Sequence, residues 1–156
     1  MNIFSKEMLM AGGEKVFVRP NLTSNGSSGD YFYVTASVNN STAYKAFDDS
    51  DSSYWACSAS GTGSKYIRFD CQNGLNVTEL KITNRQNWGS NSVQKIMALA
   101  TGMTTYDNIS FSQTISGKIN TVNLSNGNYY NVYVIYLAAY SDLLITDIAI
   151  TATEKG

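Results

Sequence analysis

Three carboxylates, Asp48, Asp49 and Asp51, crowd into four positions of this 156-residue chain, with Ser53 two residues further on. Ala46-Phe47 leads into the cluster and Tyr54-Trp55 leads out of it. Like charges this close repel, so a tight loop is costly unless a cation or a set of backbone N–H groups neutralises them. A hard cation takes about six to eight oxygens, which Asp, Ser and main-chain carbonyls can supply. The same residues also suit an exposed acidic turn in which Asp caps its own backbone. Spacing alone leaves both readings open. The loop is no EF-hand, because it lacks the glycine at the sixth position and the glutamate at the twelfth.

A second group could bind a polyhydroxylated ligand. Sugars offer an apolar face to aromatic rings and hydroxyls to amide or guanidinium partners. Residues 84–91, Asn-Arg-Gln-Asn-Trp-Gly-Ser-Asn, hold this kit in one loop. Arg85, Gln86 and Asn87 could hydrogen-bond, and Trp88 could stack. Trp88 could equally fold back as a lid on the core. Tyr106 with Asp107 and Asn108, and Tyr140 with Ser141 and Asp142, are further candidates. Trp55 alternates with Cys57 on an expected strand, which makes it a core residue.

Composition closes off other chemistry. There is no histidine, so Ser-His-Asp and Cys-His catalysis and His-ligated zinc are excluded. Asp48, Asp49 and Asp51 look like cation ligands rather than a glycosidase pair, and Asp70 and Glu79 alternate to polar strand faces, so no enzyme is expected. Charged residues make up 15%, the net charge is −1, and no Lys/Arg run exists. That argues against nucleic acid and against a basic membrane-surface site. No run of 18 apolar residues occurs, so no membrane insertion is expected. Cys57 and Cys71, on strands expected to form a hairpin near Thr62, would lie out of register and stay as free thiols.

These residues must be positioned by strands. One proline against 12 glycines and 11 tyrosines, among abundant Asn, Ser and Thr, is a β-rich composition. Strand signals recur at 32–38, 53–58, 65–71, 77–84, 93–101, 108–116, 118–124, 129–140 and 143–153. In 77–84, Leu80 and Ile82 oppose Glu79, Lys81 and Thr83. In 129–140 both faces are apolar, as in a central strand. No window reads better as an amphipathic helix. The expectation is an all-β sandwich or jelly roll of about eight strands. Residues 1–30 read as an N-terminal arm, or a first strand plus polar linker, with a weakly helical 1–11. Residues 31–156 form the sandwich.

The order of short motifs carries a resemblance. It runs Val34-Thr-Ala-Ser, Ala46-Phe47-Asp48 … Ser53-Tyr54-Trp55, Tyr66-Ile67-Arg68-Phe69-Asp70, Leu80-Lys-Ile82-Thr-Asn-Arg85 and Ile145-Thr-Asp147-Ile148. This resembles the discoidin, or coagulation-factor type C, superfamily and its galactose-binding-like carbohydrate-binding modules. The resemblance covers residues 32–152. It implies a galactose-binding-like jelly-roll β-sandwich with a structural Ca2+. Asp48 would give a side-chain oxygen, and Asp51 and Ser53 side-chain or backbone oxygens. Asp147 would stand where the family has glutamate. Asp49 replaces a family glycine. The ligand loops vary within the family, so the site must be chosen on physical grounds.

Together these point to a non-catalytic module that binds a cell-surface glycan. The residues 1–10 carry Lys6 and Glu7 where a signal peptide needs an apolar core. The expected setting is therefore a phage virion engaged in host attachment, as a homo-oligomer or part of a larger assembly. A cytoplasmic protein and a fragment of a secreted protein are the other settings. The alternative role is a structural virion protein, a capsid decoration, fibre or tail component without sugar. Its interface would be a tyrosine face of Tyr129, Tyr130, Tyr133 and Tyr136. Seven Asn-x-Ser/Thr sequons carry no meaning in so Asn-rich a chain.

Overall fold

The computed structural model describes residues 3–4, 15–18 and 20–155. Eleven strands are found among them: β1 (Ile3–Phe4), β2 (Lys15–Val18), β3 (Pro20–Asn21), β4 (Phe32–Ala36), β5 (Trp55–Cys57), β6 (Tyr66–Asn84), β7 (Ser92–Leu99), β8 (Asp107–Ser116), β9 (Ile119–Ser125), β10 (Tyr130–Ala138) and β11 (Leu143–Glu154). Eight of them, β4–β11, follow residue 31. One 3-10 helix spans Asn40–Ala46. All strand pairings are antiparallel.

Strand β6 organises the sandwich. The polar stretch Cys71-Gln-Asn-Gly74 reads as a break between two strands, and it is where this 19-residue run turns: Asp70 pairs Val132 and Leu75 pairs Tyr130, with 72–74 outside the ladders. Its first half pairs β4 and β10, and its second half pairs β9 and β11. Within the polar stretch the Gln72 N–H donates to the Tyr31 carbonyl and the Gly74 carbonyl accepts from the Lys155 N–H, while the strand exchanges one pair of partners for another. Strand β8 does the same, pairing β7 through residues 107–109 and β9 through 110–116. The circuit β6–β9–β8–β7–β10–β6 is closed, which removes most free edges. The hairpin expected around Thr62 does not form. Strand β5 pairs β11 instead, so Cys57 faces Leu143 across the ladder while Cys71 lies in β6. Both thiols are free and buried.

Alternation explains what fills the interior. Ile67, Phe69 and Cys71 from the first half of β6, and Leu75, Val77, Leu80 and Ile82 from its middle and second half, are all buried. Phe69 stacks on Phe32 and on Tyr133, with ring centroids 5.4 and 5.2 Å apart. Phe47 meets both phenylalanines edge-on. Trp55 is fully buried and donates its indole N–H to the Val38 carbonyl at 2.8 Å. The expected tyrosine face is not one face. Tyr133 and Tyr130 are 0% and 3% exposed, whereas Tyr136 turns outward beside Tyr66. Period-two geometry puts residues 133 and 136 on opposite sides of β10.

The polar stretch before β4 is built onto the sandwich. Leu22 is 1% exposed in the core, and its N–H donates to the Phe47 carbonyl at 2.9 Å. Asn25 accepts from the Tyr44 N–H and donates to the Asn40 carbonyl. Strand β2 lies on β11. The helical tendency read in residues 1–11 lies largely outside the described residues. The exception is Ile3–Phe4, which pairs with Pro20–Asn21.

Candidate functional site

Strands β6, β7, β9, β10 and β11 all start or finish at one end of the sandwich, here the upper end. The loop 85–91, the β10–β11 loop and the β8–β9 turn meet there. Two buried asparagines hold them together. Asn84 is 1% exposed; its side-chain oxygen accepts from the Leu144 N–H at 2.7 Å and its amide donates to the Asn87 carbonyl at 3.3 Å. Asn91, also 1% exposed, accepts from the N–H groups of Tyr140 and Ser141 at 2.7 and 3.1 Å and donates to the Ser141 hydroxyl at 2.9 Å. A buried amide that satisfies two loop N–H groups fixes the loop, because losing it strands those donors.

Trp88 corrects the sequence reading. It is 0% exposed, so its ring cannot stack on a ligand. Its indole N–H donates to the Lys118 carbonyl at 3.0 Å, and its backbone N–H donates to Gly117 at 2.9 Å. Gly89 follows with φ 59° and turns the chain back. The tryptophan is thus the lid that seats loop 85–91 on the β8–β9 turn. Burying so large a ring with its N–H satisfied is worth more than leaving it in water.

What the lid leaves outside is polar and aromatic. Arg85, Gln86 and Asn87 are exposed. The Arg85 guanidinium lies over the Tyr54 ring, 5.4 Å from its centroid. Tyr140 is 59% exposed on the abutting loop. The structure therefore brings together Arg85, Gln86, Asn87 and Tyr140, and adds Tyr54, Asn84 and Asn91. Tyr54 was legible in principle: Trp55 points inward, so its neighbour must point out. Asn84 and Asn91 carried no signal in a chain so rich in Asn.

Tyr106 sits elsewhere, next to Asp107 at the opposite, lower end. Its hydroxyl is 3.4 Å from the Arg68 guanidinium, which is also clamped by Asp70 at 2.7 and 2.8 Å. The Asp70 partner holds the Arg68 guanidinium well above its usual range.

The acidic corner follows the 3-10 helix. The Asp48 carboxylate accepts from the Ser50 N–H at 3.1 Å and from the Ser53 hydroxyl. Asp49 takes φ 56°, the left-handed region that the family glycine would favour and that Asp tolerates. Asp51 is exposed. Asp147 is 6% exposed, at a bulge in β11. On β6, Asp147 sits opposite Thr83, across a register shift from the Ile145–Asn84 pair. No group of three or more His, Cys, Asp or Glu side chains with metal-binding geometry occurs among the described residues. The donor set expected from the resemblance has a different make-up: two carboxylates, a hydroxyl and carbonyl oxygens. Asp48 and Ser53, joined by their hydrogen bond, are oxygen donors of that kind.

No family model matches the chain, and no curated protein matches it. Solved structures do. The module CpGH89CBM32-6 of Clostridium perfringens has 18% identity and a TM-score of 0.61, over 79% of this chain and 94% of that one. The family 32 carbohydrate-binding module of C. perfringens NanJ, solved in complex with galactose, has 15% identity and a TM-score of 0.55, over 78% and 93%. The F5/8 type C domain of a Bacteroides fragilis protein has 10% identity and a TM-score of 0.59, over 80% and 93%. The fold is the galactose-binding-like jelly roll of these modules.

Proposed function

We propose that this protein is a non-catalytic carbohydrate-binding module whose sugar site is the upper end. The observation that carries the reading is exposed Arg85 over the half-buried Tyr54 ring, with exposed Tyr140 at the same end, on loops pinned by Asn84 and Asn91. A sugar ring would lie against Tyr140. Its hydroxyls would take hydrogen bonds from Arg85 and from the amides of Gln86 and Asn87. The fold shared with carbohydrate-binding modules supports this, including one in complex with galactose and another, the CBM32 of AlyQ, in complex with 4,5-unsaturated mannuronic acid. A shallow site of this kind binds weakly on its own. Copies displayed together on a virion would gain by avidity in attaching to a host-surface glycan.

A glycan array followed by calorimetry tests it. Binding is expected in the parent, with Arg85→Ala and Tyr140→Ala each weakening it about tenfold or more while the melting temperature stays within a few degrees. Undiminished binding in both variants would remove the site from the upper end.

In the same reading a structural Ca2+ is held at the acidic corner by Asp48, Ser53 and Asp147, with an oxygen of Asp51. The ion would neutralise carboxylates that otherwise repel across a short loop. A ligand that binds only the folded chain stabilises it by about 2.7 kcal/mol at a hundred times its Kd. Melting curves should therefore rise by several degrees on adding CaCl2 after EDTA, and Asp147→Asn should abolish the rise. Identical curves with and without Ca2+ would sink the metal site.

A further inference from the structure

The lower end of the sandwich holds a cavity of about 360 Å3, lined by Ala100, Met103, Asp107, Asn128, Tyr129, Tyr130 and Lys155. That size lies within the range of about 300–1,000 Å3 typical of small-molecule sites. Three connections build it: the β7–β8 loop, the β9–β10 loop and the end of β11. It is therefore remote from Arg85 and Tyr140, at the other end of the strands.

Its polar groups are ordered and incompletely used. Tyr130, 3% exposed, donates its hydroxyl to one Asp107 carboxylate oxygen at 2.7 Å. The same hydroxyl is 3.4 Å from the Asn128 amide. The Asn128 backbone N–H closes a tight local turn by donating to the Asn126 side-chain oxygen at 3.0 Å. Asp107 and Asn128 are themselves exposed to the cavity mouth. Lys155 is exposed, and its backbone N–H is tied to the Gly74 carbonyl at 2.9 Å. Its ammonium forms no ion pair with any described residue, although Asp107 lines the same cavity. Ala100, Met103 and the half-buried Tyr129 supply apolar surface.

We propose that this cavity is a second ligand site, and that its ligand is an acidic monosaccharide unit, a sugar ring carrying one carboxylate. Each part has a partner. The ring face lies on Tyr129 and Met103. Vicinal hydroxyls donate to the Asp107 carboxylate and accept from the Asn128 amide. The sugar carboxylate accepts from the Lys155 ammonium, a charge-assisted bond stronger than a neutral one. A neutral hexose lacks that last contact. The site stands apart from the upper-end reading and does not depend on it.

Amide-resolved NMR titration with D-glucuronate, and with D-glucose as the neutral control, tests the proposal on the full chain. Saturable shifts are expected at Met103, Asp107, Asn128, Tyr129 and Lys155, with glucuronate about tenfold tighter than glucose. Lys155→Met should remove that preference while leaving the melting temperature unchanged. Tyr129→Ala should abolish the shifts. Arg85→Ala should leave them as they are. No shifts at these amides, or a preference that survives Lys155→Met, would overturn the proposal. Shifts confined to the Arg85 loops would overturn it and leave the upper-end site standing. Lower-end shifts without upper-end shifts, for sugars of every kind tried, would do the reverse.

Discussion

The upper end hides its largest aromatic ring and the lower end leaves a hollow. Above, Trp88 is withdrawn into the core, and Arg85, Gln86, Asn87 and Tyr140 remain outside, with Tyr54 half-buried under Arg85. Below, a cavity remains between the β7–β8 and β9–β10 loops, with Tyr129 and Tyr130 in its wall. The two ends share a scaffold but solve loop placement differently. The upper loops are pinned from inside by Asn84 and Asn91. At the lower end, Asp107, Tyr130 and Asn128 bond to each other at the rim. A site pinned from inside keeps its surface groups available. A site that braces itself spends part of its hydrogen-bonding capacity on the brace.

The largest break in this comparison would come at Trp88. Trp88→Ala should cost about 3–5 kcal/mol, read as a drop in the urea midpoint, because it empties a filled core position. Retained stability with lost sugar binding would instead mean that the ring serves the surface. Asn91→Ala should cost less, about 1–3 kcal/mol, by stranding the Tyr140 and Ser141 N–H groups. It should also weaken upper-end binding and leave the lower cavity unchanged, which heteronuclear spectra would show.

The smallest effect separates the ends by pH. Desolvation pushes the Cys57 thiol, at the upper end of β5, up to about 11, with Lys65 opposing and Asp142 adding to the shift. Cys71, at the lower end, is raised well above the usual thiol range, by burial first and then by Asp70 and Glu154. An unfolded thiol ionises near 9.0. Above that pH the unfolded chain releases its proton first, so the thiol's contribution to stability is complete below pH 9 and is lost as pH rises through 11. Urea midpoints should fall across this window, and less steeply in Cys57→Ala. A midpoint that does not change between pH 8 and 10.5 would contradict it.

Much of this architecture could be read from the chain. Period-two alternation placed Ile67, Phe69, Leu80, Ile82 and Trp55 inside, because a strand of fixed pleat can bury only every second residue. It could not place Trp88. Loops have no period, and a tryptophan among Asn, Gly and Ser looks the same whether it faces a sugar or the core. Nor could it show which strands β6 pairs on either side of Cys71-Gln-Asn-Gly74. That stretch is the changeover, with β4 and β10 as partners before it and β9 and β11 after it. Tyr106 was grouped with Arg85 and Tyr140 by residue type, yet strand direction sends it to the other end.

By itself, the sequence determined the all-β class, the apolar faces of the strands and the composition of the loops, because these depend on local propensity and on a pattern repeated every two residues. Tertiary structure alone decided which loops meet. Strand direction and pairing over long separations put Tyr54 under Arg85, Asp147 opposite Thr83, and Lys155 on the same cavity as Asp107. Those proximities come from closing a circuit of strands, which no short window of residues encodes.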